Sequence, residues 1–586
     1  VYTEKAECQD CFKCVRHCPV KAIRVEAGSA SVIPELCIAC GRCVQLCPVG
    51  AKRVRSDLEA VRRRVRENSN VYVSLAPSYV ADFPGIEPVR LVQALLDLGF
   101  AGVSETALGA EELSADLGER LAAAGPEIVI SSACPTAVEL IHRYCPEFGA
   151  AVLNTCSPLL AHCRLLRQVL GDDIEVVFIG PCISKKCEAD AHPDLLRAAL
   201  TFEDLRLWLE SEGIDLEAVR PGRDAAFVPR EAREGALYPI DGGMIATIRR
   251  DCPVDDADFM VFSGIEQIEE ALAGLDAAAP DAPLFLEVLA CEGGCVNGPR
   301  GACRGRTALK RQQVIRRGRH GRARPQPAAP VDVTLDRRLP AAAAPRFAEA
   351  DLRAALEQVG KRAPTDELNC GGCGYTDCRS FAAALLSGKA EPTMCVSYMR
   401  KLARNQANAL LRTMPSGVVM ADRDLAVVEC NERFAALLGE EITEIYRARP
   451  GLRDARLPKV APFLCPLFEH VLATADDTVE RDLRTGGRIL HVSVFTVEPH
   501  RVVGAVLQDV TQPTVRREQV IRKARDVIRS NVATVQKIAY LLGENAAESQ
   551  ASLNDIIDSF SHGLDEVGTA ESPPETARTQ AETRGA

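Results

Sequence analysis

Residues 175–188 read EVVFIGPCISKKCE, and the fold of the central region turns on them. An apolar run of strand length, Glu175 to Ile179, stops at Gly180-Pro181 and hands over to a cysteine and a polar stretch. Two further segments share that plan: EIVISSACP at 127–135 and LFLEVLACEGGC at 284–295. Val71 to Leu75 adds another apolar run, and helical patterns such as Val89 to Leu98 and Leu195 to Leu209 flank these runs. Strands alternating with helices over this length predict an α/β fold with largely parallel sheets. Ligands of such sheets bind beyond the carboxyl ends of the strands, which is where Cys134, Cys182, Cys291 and Cys295 fall. Four cysteines delivered from three strand ends can hold one 4Fe-4S cubane. Glycines beside Cys291 let the backbone approach inorganic sulfur, and Lys185 places a cation in a site built for anionic ligands. Singly, Cys134 or Cys182 would read as a buried core thiol; the set of four does not.

Upstream, one cysteine grammar occurs twice. Cys8, Cys11, Cys14 and Cys18-Pro19 are followed by Cys37, Cys40, Cys43 and Cys47-Pro48, each spaced CxxCxxCxxxCP. Three cysteines two residues apart wrap a loop around one cubane, and the cysteine before proline reaches across to the other. The spacing therefore predicts two 4Fe-4S clusters, one on Cys8, Cys11, Cys14 and Cys47 and one on Cys37, Cys40, Cys43 and Cys18. Structural zinc is the competing reading, but it usually takes CxxC pairs instead of triplets with a fourth CP.

At 586 residues the chain is too long for one core, so several domains are expected. A formal net charge of −11 argues against nucleic acid as a bulk partner. No apolar run approaches the roughly 20 residues that span a bilayer. No signal-peptide pattern precedes the first cysteine loop, and the 24 cysteines lie largely in metal-like spacings. Reduced thiols in an anaerobic cytoplasm fit better than disulfides.

The three strand-end segments resemble the signature motifs of the FeFe-hydrogenases, TSCCPxW, PCxxKKxE and ExMxCxGGCxxG, over roughly residues 70 to 300. The resemblance implies that Cys134, Cys182, Cys291 and Cys295 hold the 4Fe-4S part of an H-cluster. It also implies that Cys295 bridges to a diiron unit bearing CO, cyanide and an azadithiolate, and that Lys185 contacts a cyanide. Glu188 and Glu287 fill the motif acids. The departures are as informative. TSCCP has become SSACP, so Ala133 replaces the family's proton-relaying thiol. Thr136-Ala137 follow Pro135 where the family has tryptophan, Gly180 and Leu289 stand where it has methionines, and VNGPRG follows Cys295 in place of a glycine-rich run. Ligation is kept while the proton path is altered, the pattern of the family's sensory branch, and slow turnover of H2 and protons is expected.

Residues 57 to 69 are expected to form a basic, solvated connecting helix. Arg300 to Arg324 is crowded with arginine and Pro325 to Pro345 is rich in proline and alanine, which predicts a linker. No aromatic residues interleave the basic stretch, so a solvated or partner-facing role is preferred to nucleic acid. Next, Cys370, Cys373, Cys378 and Cys395 follow an NCGxCGxxxC pattern with a distant fourth cysteine. It resembles a small 4Fe-4S domain found beside corrinoid and redox proteins; zinc is the alternative. Cys145, Cys156, Cys163, Cys187, Cys252, Cys303, Cys430 and Cys465 show no ligand spacing.

The stretch from Asn408 to Glu441 resembles the opening of a PAS domain, with a strand at Gly417 to Met420, a turn at Asp422 to Asp424, and Asn431-Glu432-Arg433-Phe434 entering a helix. Strands at Arg488 to Val497 and Val502 to Asp509 would close its sheet. His491 is the one candidate haem ligand, but a lone strand histidine usually serves structure, and no PAS cofactor is expected. Apolar residues from Val520 to Leu542 recur at near-heptad spacing, followed by a helical stretch at Leu553 to Phe560, which suits dimerisation or signal transmission.

The expected architecture is multidomain α/β and α+β. Residues 1–56 form a ferredoxin-like 2x 4Fe-4S domain, 70–300 the H-cluster domain, 301–348 a linker, 349–400 a 4Fe-4S module and 405–512 a PAS domain. Residues 513–562 form signalling or dimerisation helices, and 569–586 a disordered tail. The expected function is hydrogen or redox sensing, with ferredoxin or another redox partner and a kinase, phosphatase or regulator reading the state through a homodimer. Alternatives are a working ferredoxin-linked hydrogenase and a cubane-only electron-transfer protein.

Overall fold

The apolar runs become strands because each is buried on both faces, as parallel sheets covered by helices require. In the computed structural model, which describes residues 1–251, 257–275, 280–301, 305–319, 330–336, 339–342, 345–475, 477–511 and 526–531, the chain divides into two units, Val1–Met394 and Cys395–Ala586. In the first unit, strands β1 (Val71–Leu75), β2 (Gly102–Glu105), β3 (Ile128–Ile130), β4 (Glu175–Gly180), β5 (Ala198–Thr201), β6 (Asp258–Ser263) and β7 (Leu284–Leu289) build two sheets. Their orders are β2-β1-β4-β5 and β6-β7-β3. Every pairing in them is parallel. Val71, Val73, Leu75, Val176, Val177 and Ile179 are completely buried, and the carboxyl ends of β3, β4 and β7 carry the four cysteines.

Three expectations change here. Ala198–Thr201 is a strand inside the run Leu195 to Leu209 that was expected to be helical, because it pairs with Val177–Gly180 and sheet pairing overrides a weak local preference. Thr201 then starts the helix Phe202–Ser211 with a capping box to Asp204. The helix α1 (Leu58–Glu67) is not merely a solvated connector: Leu58, Val61 and Val65 are buried in the core of the two-sheet domain. The third change concerns the expected linker 301–348. It contains the helix α2 (Thr307–Gly318), whose Val314 is fully buried and whose Arg317 reaches Glu105 at the end of β2. Val331 and Val333 are also buried, and Cys156 N donates to Val333 O. The remainder of Pro325 to Pro345 lies partly outside the described residues.

N-terminal to α1, the dicluster segment carries two short helices, Lys13–Arg16 and Arg42–Leu46, and a hairpin of Ile23–Glu26 with Ser29–Val32. Its core is small, centred on Val15, Ile23, Val25, Ala30 and Ile38. Helices Glu349–Gln358 and Cys378–Leu386 pair through Ala355, Leu356 and Ala382.

The second unit opens with the helix Val396–Thr413 and builds a five-stranded antiparallel sheet. In chain order its strands are β8 (Gly417–Asp422), β9 (Val427–Cys430), β10 (Thr478–Thr485), β11 (Arg488–Glu498) and β12 (Val502–Asp509), arranged β9-β8-β12-β11-β10. β10 was not anticipated: its outward residues are charged and mostly exposed, so it lacks an apolar run. Buried Asn431 caps the helix Glu432–Leu438 through Phe434 N, accepts from Val418 N and donates to Ser416 O and Leu411 O. Asn431→Ala is expected to destabilise this unit by about 1–3 kcal/mol, read as a lower midpoint in denaturant unfolding. Of the expected C-terminal helices, residues 526–531 are helical; the rest, with the 569–586 tail, lies outside the described residues. No helix among the described residues is long and apolar enough to cross a membrane.

Candidate functional site

Beyond the ends of β3, β4 and β7 the chain turns sharply. Cys134 N-caps the helix Pro135–Tyr144, and Cys182 precedes the helix Ser184–Ala191. Cys291 and Cys295 flank Gly293 and Gly294, which sit at φ +74° and +95°. A Cβ on Gly294 would lie 2.3 Å from Pro239 O, so only glycine fits this crossing. All four cysteines line one small cavity, together with Cys40 from the dicluster segment.

Burial pushes the Cys182 thiol up to about 11 and raises Cys291 and Cys295 further, with neighbouring cysteines adding to the rise. Lys185 opposes it at Cys182 and Cys295. Buried thiolates crowded together are costly unless a cation compensates them. Four soft sulfur donors around a shared void thus fit an iron–sulfur group. Among the described residues, no three His, Cys, Asp or Glu side chains close on a single metal-ion position.

A second cavity of about 100 Å³ adjoins the first, with Cys134, Cys182 and Cys295 in its wall. Its lining is almost wholly apolar, and Ala133 and Leu289, two of the departures noted above, are part of it. Lys185 and Glu287 supply the charged groups. The Lys185 ammonium pairs with Glu188, whose carboxylate also accepts from Ser157 Oγ at 3.1 Å. Glu188 is not in the lining; it stands behind Lys185. Glu287 accepts from Gly242 N and Ile245 N, each at 3.1 Å, and burial raises its carboxyl to about 7. Gly180 has a local reason: a Cβ there would meet the Phe178 ring at 2.4 Å and Ala76 at 2.7 Å.

Sequence reasoning missed Met244 and Tyr238, both lining this cavity. Tyr238 follows the short helical turn Glu234–Leu237 and Met244 sits at the start of the helix Gly243–Asp251, where no ligand spacing marks them. Tyr238 Oη lies 2.7 Å from Ser114 Oγ, and burial raises its phenol well above the ordinary value.

In the dicluster segment Cys8, Cys11, Cys14 and Cys47 line one cavity, the set the crossing rule requires. The other set is drawn together as well. Burial raises Cys40 and Cys43 to about 12, with Cys18 and Cys37 contributing to both. Backbone amides approach two of these sulfurs, Ala22 N to Cys18 Sγ at 3.2 Å and Ala39 N to Cys37 Sγ at 3.4 Å. Gly41, at φ +78°, lets Pro299 pack where a Cβ would stand 2.4 Å away, and Arg42 pairs with Glu266 beside it.

In the later module, Cys370, Cys373 and Cys378 belong to the first unit, and Asn369 Oδ1 accepts from Cys378 N at 2.8 Å. Cys395 opens the second unit as the residue preceding Val396–Thr413. Cys156 and Cys163 are core thiols and Cys430 is buried in the second unit, whereas Cys187 is exposed and Cys145 and Cys465 are partly buried. Cys252 and Cys303 lie outside the described residues. His491 Nδ1 faces Asp482 Oδ1 across the sheet at 2.7 Å.

The family described as iron only hydrogenase large subunit, C-terminal domain, matches residues 69–299. A 4Fe-4S dicluster domain matches 7–51, an Fe-S cluster family 366–397, and a PAS domain 405–480. The chain is 26% identical over 360 residues to the periplasmic Fe hydrogenase large subunit of Nitratidesulfovibrio vulgaris, covering 51% of this chain and 85% of that one. It is 25% identical over 299 residues to iron hydrogenase 1 of Clostridium pasteurianum, covering 42% of this chain and 52% of the relative, about half its length. Among solved structures, FeFe-hydrogenase HydA1 from Chlamydomonas reinhardtii aligns with a TM-score of 0.35 at 20% identity, over 45% of this chain and 88% of that chain.

Proposed function

We propose that this chain, an FeFe-hydrogenase-like iron–sulfur protein with a PAS domain, is a hydrogen or redox sensor with weak hydrogen turnover. One observation carries the reading: Ala133 stands in the wall of the second cavity beside Cys134 and Cys295, so the ligand frame is complete while the proton-carrying side chain is missing. Cys134, Cys182, Cys291 and Cys295 would hold the cubane, with Cys295 reaching the second cavity. A diiron unit with CO, cyanide and azadithiolate ligands, when bound there, would supply the centre at which hydrogen is split or formed.

The chain's own residues prepare that cavity for anionic ligands. Lys185, nearly buried, offers an ammonium whose charge is balanced by Glu188. Apolar walls exclude water, which strengthens this attraction. Glu287 is held by two backbone amides and titrates near neutrality, so it can hold a proton at the cavity edge. Alanine at 133 cannot pass one inward, so binding outlasts turnover, as a sensor requires. The two N-terminal clusters and the Cys370–Cys378 module would carry electrons. The PAS domain and C-terminal helices would present the state to a kinase, phosphatase or regulator, in a dimer within an anaerobic cytoplasm.

Infrared spectroscopy of the chain matured with the diiron unit, under argon and then H2, tests this. CO and cyanide bands that shift with H2 alongside slow turnover are expected. Absence of bands after competent maturation would leave a cubane-only electron-transfer protein. Full-speed turnover would make it a working hydrogenase. If deleting residues 405–560 leaves cellular hydrogen responses intact, the signalling role is lost.

A further inference from the structure

We infer that the N-terminal group held by Cys18, Cys37, Cys40 and Cys43 is an electron branch point, joining the hydrogenase-like site and the Cys370–Cys378 module through one shared centre. The inference rests on the cluster assignments above. It adds the wiring, which the cysteine spacing does not contain.

One side of this group faces the hydrogenase-like site. Cys40 lines the same cavity as Cys134, Cys182, Cys291 and Cys295, and the Gly41–Pro299 and Arg42–Glu266 contacts lock the two segments together there. The other side receives the module. Val25 N donates to Lys389 O at 3.0 Å, and Ala27 N donates to Glu391 Oε1 at 2.7 Å. Gly374, at φ +94°, packs so tightly on the dicluster segment that a Cβ would stand 3.0 Å from Val15 Cγ1 and 3.1 Å from Arg16 N.

Two side chains at this seam lie within electrostatic reach of both Cys18 and Cys373. Lys21 is anchored on Val15 O and Arg16 O at 3.2 and 3.1 Å, and Tyr375 is buried. The first loop meets the module differently, through Asp10 and Glu391, two carboxylates that repel. Lys389, whose carbonyl accepts from Val25 N, is a third side chain, on the module, within electrostatic reach of Cys18.

Electron bookkeeping is simple. An electron leaving the hydrogenase-like site reduces the Cys18 group. That group then passes it to the module or to the Cys8, Cys11, Cys14 and Cys47 group, whose Cys11 is exposed. The donor is oxidised by one electron, the acceptor is reduced by one, and no bond forms or breaks. The module therefore registers hydrogen and the external redox poise together.

The test uses the full chain reconstituted with iron and sulfide alone and reduced with dithionite, followed by electron paramagnetic resonance. Cys373→Ala should lose one cluster's worth of iron and the module's signal, which identifies that signal. In the unmodified chain this signal should relax rapidly because the reduced Cys18 group lies beside it. Cys11→Ala should leave that relaxation in place and Cys37→Ala should abolish it. A redox titration of the unmodified chain gives the same answer without a variant: power saturation of the module's signal should shift at the potential that reduces the Cys18 group. A module signal indifferent to Cys37→Ala and to that potential, or sensitive only to Cys11→Ala, overturns the branch point and leaves the clusters standing. If Cys373→Ala changes neither iron content nor any signal, the module's cluster assignment and the branch point fall together.

Discussion

Ala133→Cys is expected to raise hydrogen turnover of the diiron-loaded chain by about 10²- to 10⁴-fold, the range typical of a positioned acid or base. Residue 133 already lines the second cavity between Ser131 and Cys134, and a cavity of about 100 Å³ has room for one more sulfur atom. The substitution changes no cluster ligand and no buried ion pair. Ala133→Ser is the control: similar in size, but its hydroxyl is far less acidic than a thiol, so it should recover little. Hydrogen evolution from a chemical reductant reads the effect, with infrared bands confirming equal loading. Equal loading with unchanged turnover would show that the slow step lies elsewhere in the cavity.

The largest stability effect is expected at Glu105→Ala, a loss of about 3–5 kcal/mol. Glu105 is fully buried at the end of β2, where both its oxygens take Arg317 Nη2 at 3.0 and 3.1 Å and one also takes Ala232 N at 2.7 Å. Arg317 stacks over Phe227 and reaches Glu231 with its other nitrogen. Removing the carboxylate leaves a guanidinium that is only 10% exposed with the half-exposed Glu231 as its remaining acidic partner. Glu231→Ala, at a carboxylate 47% exposed, should cost under about 1 kcal/mol. Glu105→Ala combined with Arg317→Met should recover much of the loss, since replacing both charges removes the buried guanidinium as well. Denaturant unfolding measures all three. If Glu105→Ala and Glu231→Ala are equally mild, α2 is not anchored as described. Thr106 and Ala107, the next two residues, line the second cavity, so this pair also steadies the site.

What was legible in the sequence was what short-range chemistry dictates. Cluster cysteines obey spacing rules set by the size of a cubane and the reach of a loop, so Cys8, Cys11, Cys14 and Cys47 could be grouped from the sequence, and the fold brings these four to one cavity. Strands buried on both faces announce themselves as apolar runs, and the cysteines after Ile130, Gly180 and Leu289 followed from the parallel plan. Ala198–Thr201 escaped because four residues of weak preference become a strand only by pairing with β4. The helix Thr307–Gly318 escaped because its arginines suggested solvent, while Arg317 is neutralised by an acid more than two hundred residues earlier. Tyr238, at the end of a short helical turn, and Met244, in the first turn of a helix, reach the cavity from a stretch that carries no ligand spacing. The seam between Lys21 and Tyr375 depends on side chains brought together only by the tertiary fold.

The cysteines of the two regions are held in place by different means. Cys134, Cys182 and Cys291 are placed by sheets whose cores are packed with aliphatic and aromatic side chains, so closure of these long loops is met by the protein itself. The dicluster segment has only a handful of buried apolar residues, and small domains of that kind draw their folding free energy from metal. Under iron scarcity the two regions would part company: the sheet-framed cavity would persist, while the dicluster segment would melt first. Iron supply would then decide whether the dicluster segment folds at all, before any question of what the cavity binds.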